Sequence, residues 1–372
     1  MIYLDNAATT KMFEEGADVY KKYACQSFFN PSAGYNASIE ISKELNDVRN
    51  ELLRKLGAKS GNIIFTSGAT ESNNLAIMGS KRNGKVEYVF SIGEHPSVYN
   101  VAKELELQGY VVHFVPLSEN GEIDYKKLES VLNERTRLVS VMHVSNETGA
   151  INDLERVNRL RKKLAPKALL HVDGVQAFCK HNYSIDEFDI DLYTISAHKF
   201  HGPKGVGALF VRNLQQLKNI LFGGGQENGY RSGTENVAGI MAMRFAFNNI
   251  DIISNKIKVS NLYNKLSEIL EDDKRVKLIK TGNPYILSAQ FEGVNGETLM
   301  RMLQDEGVLV GKGSACSTKK SGNRILESMG FNKDEIKSHI RISLDAGLTE
   351  SEIEFAGRKI LDVYNKLWEK VK

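Results

Sequence analysis

Short apolar runs alternate with longer polar and helical stretches from residue 63 to residue 211, and this alternation constrains the fold more than any other feature. The runs are rich in β-branched and aromatic residues and have the length of buried strands. Helices are predicted between them, for example at 124–134 and 153–164. The pattern indicates an α/β protein with a parallel, doubly wound sheet. The seven predicted strands are 63–66, 86–91, 110–117, 138–145, 169–173, 192–198 and 207–211.

Two of these strands end close to side chains that are chemically reactive, an aspartate and a lysine. The run 169–173 ends in Asp173, and the run 192–198 is followed by Lys199 and a glycine-rich turn at 202–207. Because open parallel sheets bind ligands at the carboxyl ends of their strands, we expect Asp173 and Lys199 to share a site. An amine that bonds to an aldehyde and an acid that pairs with a pyridinium nitrogen suit pyridoxal 5′-phosphate (PLP). For an isolated pair, two solvated charges would be the ordinary interpretation.

The residues around this pair identify a family. DGVQA at 173–177 and SAHKFHGPKGVGAL at 196–209 resemble motifs of the NifS and IscS kind of cysteine desulfurases, which are PLP enzymes of fold type I. The resemblance covers nearly the whole chain. It implies an α/β fold with a large domain, built on a mostly parallel seven-stranded sheet whose strand 207–211 is antiparallel, and a smaller α+β domain. We expect the large domain at 13–250 and the small domain at 1–12 and 251–372.

Further elements are predicted on the same basis. The 4,3,4,4 spacing of Ile41, Leu45, Val48, Leu52 and Leu56 predicts a helix at 35–56 with a buried stripe. The C-terminal part is predicted to hold strands at 286–291 and 340–344 and helices at 296–306, 323–329 and 349–371. In the last helix the expected buried residues are Ile353, Ile360, Val363 and Leu367.

A candidate phosphate site follows the first strand of the sheet. Ser67 and Gly68 lead into a helix whose first residues are Ala69 and Thr70. Small residues let the backbone approach a phosphate, and the N–H groups and dipole at a helix N-terminus favour an anion. Taken alone, the motif would more often be an ordinary helix cap in a tight turn.

The remaining cofactor contacts are implied by the resemblance. His95 is expected to stack on the cofactor ring and to assist proton transfer, a role that suits an imidazole. Asn146 and Gln176 are expected to bind the phenolic oxygen as neutral donors, and Asn146 also borders the substrate. Ser196 and His198 complete the expected cofactor contacts. As isolated residues, the histidine and the amides would more often belong to caps or loops.

A glycine-dense loop at 223–236 contains Arg231-Ser232-Gly233-Thr234. Its composition alone is typical of a flexible linker. In the family that it resembles, the threonine of RSGT contacts the cofactor phosphate of the partner subunit. The resemblance therefore implies a homodimer in which Thr234 completes the partner's site.

Cys316 and Arg341 are the candidate nucleophile and substrate anchor. GSACST at 313–318 resembles the cysteine loop of the NifS/IscS group, and the surrounding Gly, Ser and Lys residues favour an exposed thiolate. A lone cysteine is otherwise more often a small buried residue. Cys25 and Cys179 match no such motif and are interpreted as structural. Arg341 in HIRISL offers two donors to a carboxylate, with a structural ion pair as the alternative.

The resemblance implies a PLP enzyme that converts L-cysteine to L-alanine and leaves a persulfide on Cys316. The expected sulfur acceptor is an iron–sulfur scaffold or a tRNA-thiolation enzyme, and transient ligation of an iron–sulfur cluster by Cys316 is part of the same expectation. A selenocysteine lyase or another class-V aminotransferase would keep Lys199 and Asp173 without needing Cys316. A non-catalytic scaffold would have no need of these residues together.

Composition narrows the possible partners. The 372 residues, 41% of them hydrophobic, suit one large and one small domain, and a net charge of +3 indicates neither direct nucleic-acid binding nor a membrane surface as the main partner. No apolar run is long enough to span a membrane, and MIYLDNAATT lacks the pattern of a secretory signal. Three widely spaced cysteines predict no disulfide framework and no resident metal site. We therefore expect a cytoplasmic protein.

Overall fold

The structure, a computed structural model, describes residues 1–313 and 323–371. The strands in this part of the chain are β1 (Ile2–Leu4), β2 (Asn62–Thr66), β3 (Glu87–Ser91), β4 (Val111–Val115), β5 (Thr136–Met142), β6 (Leu169–Asp173), β7 (Leu192–Ser196), β8 (Gly207–Val211), β9 (Val276–Ile279), β10 (Ile286–Phe291), β11 (Val308–Val310) and β12 (His339–Ser343). The helices are α1 (Glu14–Cys25), α2 (Asn36–Lys55), α3 (Ala69–Gly79), α4 (Pro96–Leu107), α5 (Tyr125–Val131), α6 (Leu154–Leu164), α7 (Val237–Asn248), α8 (Ile252–Glu271), α9 (Gly296–Asp305), α10 (Arg324–Ser328), α11 (Lys333–Lys337) and α12 (Glu350–Val371).

The largest sheet has seven strands in the order β2-β8-β7-β6-β5-β3-β4. Strand β8 is antiparallel to both of its neighbours, and the other adjacent pairs are parallel. This confirms the predicted fold class, including the antiparallel strand. Because β6 and β7 are parallel neighbours, with Asp173 opposite Thr194, the residues that follow both strands lie at the same edge of the sheet.

The strands predicted at 110–117, 138–145 and 192–198 end earlier, at Val115, Met142 and Ser196, and α5 is also shorter than expected. Its first turn is capped by Asp124, whose carboxylate accepts from the backbone N–H groups of Lys126 and Lys127. The helix ends at Val131 because Leu132 adopts an extended backbone conformation. The predicted helix at 124–134 was therefore too long at its C-terminal end.

The described residues form four apolar clusters, and the two largest lie in different parts of the chain. One contains one face of the large sheet and the buried face of α2, and it reaches Ile250. The other joins Ile2, Leu4 and Ala7 to buried residues from Val259 onward. The predicted division into 13–250 and 1–12 with 251–372 stays a prediction, and these separate cores support it.

The second core is built around a small antiparallel sheet in the order β12-β10-β9, with β1 and β11 forming a parallel pair beside it. The four residues predicted to be buried in α12 are buried, as are those predicted for α2. Within the described residues, no helix is long and apolar enough to cross a membrane.

Candidate active site

A cavity of about 740 Å³ opens at the carboxyl ends of β6 and β7. Except for Thr234, every predicted site residue that the structure describes lines it, and so does the N-terminal segment after β1. The predicted residues that it brings together are Ala69, Thr70, His95, Asn146, Asp173, Gln176, Ser196, His198, Lys199 and Arg341.

Lys199 ends the short 3₁₀ turn that follows β7. Its Nζ donates to the carbonyl oxygens of Ala7 and Ala8, both at 2.7 Å. Burial lowers the pKa of Lys199 to about 7, and the nearby cations Lys180 and Arg341 act in the same direction. A large fraction of this amine is therefore neutral near pH 7, the form that can act as a nucleophile or accept a proton.

Asp173 ends β6 and is 3% exposed. Its carboxylate accepts from Asn73 Nδ2 at 2.9 Å and from the backbone N–H of Val175 at 3.1 Å. The next residue has to be small, since a Cβ on Gly174 would lie 1.9 Å from the ring of Tyr193. The carboxylate is thus fixed in position by neutral donors, and it forms no ion pair within the described residues.

His95 caps the N-terminus of α4. Its Nδ1 accepts from the backbone N–H of Ser97 at 3.2 Å. Burial lowers the pKa of His95, Lys199 and Arg324 lower it further, and Asp173 opposes the shift. The imidazole is therefore neutral at physiological pH.

Two amides line the cavity. Gln176 Nε2 donates to the Ala7 carbonyl at 2.9 Å, and Gln176 Oε1 accepts from Lys180 Nζ at 3.1 Å. Asn146 Nδ2 donates to Glu147 at 3.1 Å, whereas its buried Oδ1 has no partner among the described residues. Asn146 therefore has an unused polar atom at the cavity wall.

The N-terminus of α3 forms another wall. Gly68 precedes the helix with φ 145°, and a Cβ on Gly207 in the neighbouring strand would lie 2.8 Å from the Gly68 Cα. Glu71 accepts from the Ser67 backbone N–H at 2.7 Å and is ion-paired with Arg231 at 2.8 Å. Small residues let the two backbone segments approach closely here, the Ser67 N–H group is already bonded, and the phosphate site stays a prediction.

Arg341 reaches the cavity from β12. Its guanidinium donates to Asp5 Oδ1 at 2.7 Å and to the Asn146 carbonyl at 2.8 Å. Its buried Nε has no partner in the described part of the chain. The structural ion pair weighed from the sequence is therefore present, and binding of a substrate carboxylate stays a prediction.

The histidines beside Lys199 connect it to distant segments. His198 Nδ1 lies 3.1 Å from Thr9 Oγ1, and burial lowers the pKa of His198 to about 4. His201 lies 3.0 Å from Asp345 Oδ2, and this carboxylate raises the pKa of His201 despite its burial. These contacts hold the loop around Lys199 against both the N-terminus and the end of β12.

Two predicted site residues are not placed in the cavity. Thr234 is exposed on the loop before α7 and does not line it. Cys316 lies outside the described residues, although Gly313, three positions earlier, lines the cavity. Of the other cysteines, Cys179 is buried with its pKa raised to about 12, whereas Cys25 is exposed.

Sequence reasoning missed several residues that shape the site. Asn73 holds Asp173, Asp5 pairs with Arg341, and Lys180 bonds Gln176. Only Asn73 carried a local signal, because it lies one helical turn after Ala69 and so shares its face of α3.

The chemistry of this site fits PLP. Asn146 Oδ1, an acceptor, and Arg341 Nε, a donor, are buried and unpartnered among the described residues, whereas buried polar atoms are normally hydrogen-bonded. A partly neutral lysine, a fixed aspartate and a helix N-terminus provide groups for an aldehyde, a ring nitrogen and a phosphate. Within the described residues, no group of three or more His, Cys, Asp or Glu side chains could hold a metal ion.

A strand-end lysine and aspartate over one cavity of a mixed seven-stranded sheet define an α/β enzyme of fold type I. The chain belongs to the class-V aminotransferase family, whose model matches residues 2–355. This family is PLP-dependent.

Curated relatives and solved structures agree with this assignment. The chain is 33% identical to the cysteine desulfurase IscS of Clostridium botulinum, with 98% of this chain and 94% of that protein covered. It is 32% identical to a cysteine desulfurase of Nostoc sp., with 100% and 94% covered. The fold is similar to that of a NifS-like protein, with a TM-score of 0.91, 31% identity and 98% and 100% coverage. It is also similar to SspA in complex with cysteine, with a TM-score of 0.83, 28% identity and 93% and 99% coverage.

Proposed function

We propose that this protein is a cysteine desulfurase that converts L-cysteine to L-alanine and passes the sulfur through Cys316 to an acceptor protein. The observation that carries the proposal is the position of Lys199. Its amine is held by two carbonyls, has a pKa lowered to about 7, and shares a cavity with Asp173 and Arg341. The names of the relatives and of the SspA–cysteine complex support cysteine as the substrate.

PLP bound in the cavity would supply an electron sink for negative charge at the substrate Cα. Lys199 anchors the cofactor and, once released, holds or delivers the Cα proton at Nζ. Asp173 keeps a proton at the ring nitrogen, and Asn73 holds the carboxylate for this task at 2.9 Å. His95, a neutral imidazole that lines the cavity, would contact the ring and assist proton transfer.

The other cofactor contacts come from four neighbouring segments. Ala69 and Thr70 would hold the phosphate at the start of α3, and Asn146 and Gln176 would bind the phenolic oxygen. Ser196 and His198, on either side of Ala197, complete the pocket beside Lys199. All of these side chains line the cavity, which supports the proposal.

Arg341 binds the substrate carboxylate in this proposal. Its Nε is unpartnered among the described residues, and its Nη2 is held by Asp5. A carboxylate that approaches Nε gains a charge-assisted hydrogen bond without breaking the Asp5 ion pair. Asp5 thereby fixes the guanidinium in place before the substrate arrives.

Cys316 receives the sulfur. Its thiolate forms a bond to the substrate sulfur, the substrate Cβ–S bond breaks, and the carbon skeleton gains protons and leaves as alanine. The persulfide then passes to an acceptor such as an iron–sulfur scaffold or a tRNA-thiolation enzyme. The sequence position of Cys316, three residues after the cavity-lining Gly313, supports this role.

We also propose that the active form is a homodimer in which Thr234 contacts the partner's cofactor phosphate. Its exposure on a loop outside its own cavity supports this arrangement. Mixing Lys199→Ala chains with Thr234→Val chains should restore activity, because each heterodimer has one site without either change. Activity that stays at the level of the unmixed variants would place Thr234 in its own chain's site.

The test of the function is a Lys199→Ala variant. It should lose alanine and sulfide release from L-cysteine, and borohydride should no longer fix PLP to the protein. Lys204→Ala is the matched control, since Lys204 is an exposed lysine at the rim of the same cavity. Peptide mapping after borohydride treatment of the unmodified protein should locate the cofactor on Lys199. A cofactor found on Lys204 instead would refute the assignment.

A further inference from the structure

Lys180 is a partly buried lysine that the proposed reaction leaves without a role. Its Nζ donates to Gln176 Oε1 at 3.1 Å and lies 5.9 Å from the centre of the Tyr285 ring. Burial lowers the pKa of Lys180 to about 8. A desolvated ammonium costs free energy, so its position beside the cavity calls for a compensating role.

Gln176 connects Lys180 to the reactive amine. While Gln176 Oε1 accepts from Lys180, Gln176 Nε2 donates to the Ala7 carbonyl at 2.9 Å. The same carbonyl accepts from Lys199 Nζ at 2.7 Å. Because an amide has one acceptor end and one donor end, a cation on its oxygen determines which end faces Ala7.

We propose that Lys180 is a positioning residue for Lys199: through Gln176 it fixes the Ala7 carbonyl that holds the reactive amine, and its positive charge favours the neutral form of that amine. This inference depends on the proposed function in one respect, namely that Lys199 is the reactive amine. All residues that it involves are described by the structure, and Cys316 is not among them.

The electrostatic part of the proposal depends on all the charges in this region. Among the described residues, Lys180 and Arg341 are the cations that disfavour a charged Lys199, and Asp173 and Asp5 oppose them. Asp345 favours the charged form of Lys180 itself. Arg341 already forms an ion pair with Asp5 at 2.7 Å. Removing Lys180 should therefore raise the pKa of Lys199, so that a larger fraction of this amine is protonated.

The first test measures the reactivity of Lys199 in the full chain without added cofactor. Trace acetic anhydride labels neutral amines, and peptide mass spectrometry reports the labelling of Lys199 as a function of pH. In Lys180→Met, labelling at pH 7 should fall about fivefold, the change expected when a pKa near 7 rises by about one unit. Lys180→Arg, which keeps the charge, should label like the unmodified chain, and so should Lys204→Met.

A Lys180→Gln variant keeps a donor for Gln176 without the charge and replaces Lys180→Met if the latter does not fold. It should show the same slow labelling of Lys199. Unchanged labelling in a folded Lys180→Met or Lys180→Gln chain would overturn the electrostatic part of the proposal. Equal slowing in Lys180→Arg would do the same.

The second test examines the relay through Gln176 by titrating PLP into the full chain and following its absorbance. Lys180→Met and Gln176→Leu should each weaken PLP binding, and the double variant should lose less than the product of the two single losses, because only the charge of Lys180 still acts on Lys199 once Gln176 is removed. A loss in the double variant equal to the product of the single losses would refute the relay. Neither test measures turnover, so both remain decisive if the protein does not act on cysteine.

Discussion

The buried carboxyl group of Glu94, close to the site, should make the stability of the protein depend on pH. The Glu94 side chain is fully buried, its Oε1 accepts from the Met142 backbone N–H at 2.5 Å, and its Oε2 has no partner among the described residues. Burial and the neighbouring Asp173 raise the pKa of Glu94 well above its ordinary value, while Arg324 opposes the shift. In the folded protein this carboxyl group is therefore neutral at a pH where it is charged in the unfolded chain.

The sign of the resulting pH dependence follows from proton binding. Between the ordinary pKa of 4.5 and the raised pKa, the folded state holds a proton that the unfolded state has released. The contribution of Glu94 to stability therefore falls as pH rises, by about 1.4 kcal/mol for each pH unit in that window. Glu94→Gln keeps the acceptor for Met142 and removes the titration, so it should be more stable than the unmodified protein at neutral pH.

Urea unfolding followed by circular dichroism at several pH values measures this effect. The free-energy difference between Glu94→Gln and the unmodified protein should grow as pH rises from 5 to 7. Glu227→Gln is the comparison variant, because burial also raises the pKa of Glu227, but this carboxylate is ion-paired with Arg49 at 2.6 Å and accepts from the Phe65 N–H at 3.0 Å. It should lose about 1–3 kcal/mol. Parallel stability profiles for Glu94→Gln and the unmodified protein would refute the reasoning.

Three further predictions concern separate parts of the site. Gly174→Ala should destabilise the protein by about 1–3 kcal/mol in urea unfolding, because the added Cβ would lie 1.9 Å from Tyr193; unchanged stability would exclude the clash. Iodoacetamide should label the exposed Cys25 in the native protein but label the buried Cys179 only after unfolding; native labelling of Cys179 would contradict its burial. Arg341→Lys should raise KM for L-cysteine about tenfold or more, because lysine cannot form the two parallel hydrogen bonds that a guanidinium forms with a carboxylate. An unchanged KM would show that Arg341 does not bind the substrate carboxylate.

The sheet and the main site residues were predictable because their signals are local. Each strand of the large sheet is a short, mainly apolar run; Asp173 is the last residue of one strand, and Lys199 lies three residues after the end of another. Parallel neighbours place such residues at the same edge, and the structure confirms that both line one cavity. The family resemblance supplied the antiparallel direction of β8, which the run 207–211 does not encode by itself.

The contacts that tune these residues were not predictable, because they join segments far apart in the chain. The carbonyls of Ala7 and Ala8 reach Lys199 across about half of the sequence, and Asp5 reaches Arg341 across nearly all of it. A backbone carbonyl has no sequence signature, and an ion pair shows no periodicity. Such contacts arise from tertiary packing, which a reading of local patterns does not resolve.

The predicted C-terminal end of α5 was wrong for a related reason. Its polar residues up to Glu134 have the composition of a helix, but Leu132 is 6% exposed, and its extended backbone conformation ends the helix after Val131. Burial of one apolar side chain accompanies a turn that intrinsic helix propensity does not predict.

The most direct test of the proposed function is the location of the transferred sulfur. The PLP-loaded protein is mixed with L-cysteine without reductant, alanine is quantified, and the cysteine-containing peptides are weighed by mass spectrometry. We predict one additional sulfur atom on the Cys316 peptide, and collapse of alanine release in Cys316→Ala. An additional sulfur on Cys25 or Cys179, or unchanged alanine release in Cys316→Ala, would contradict the account.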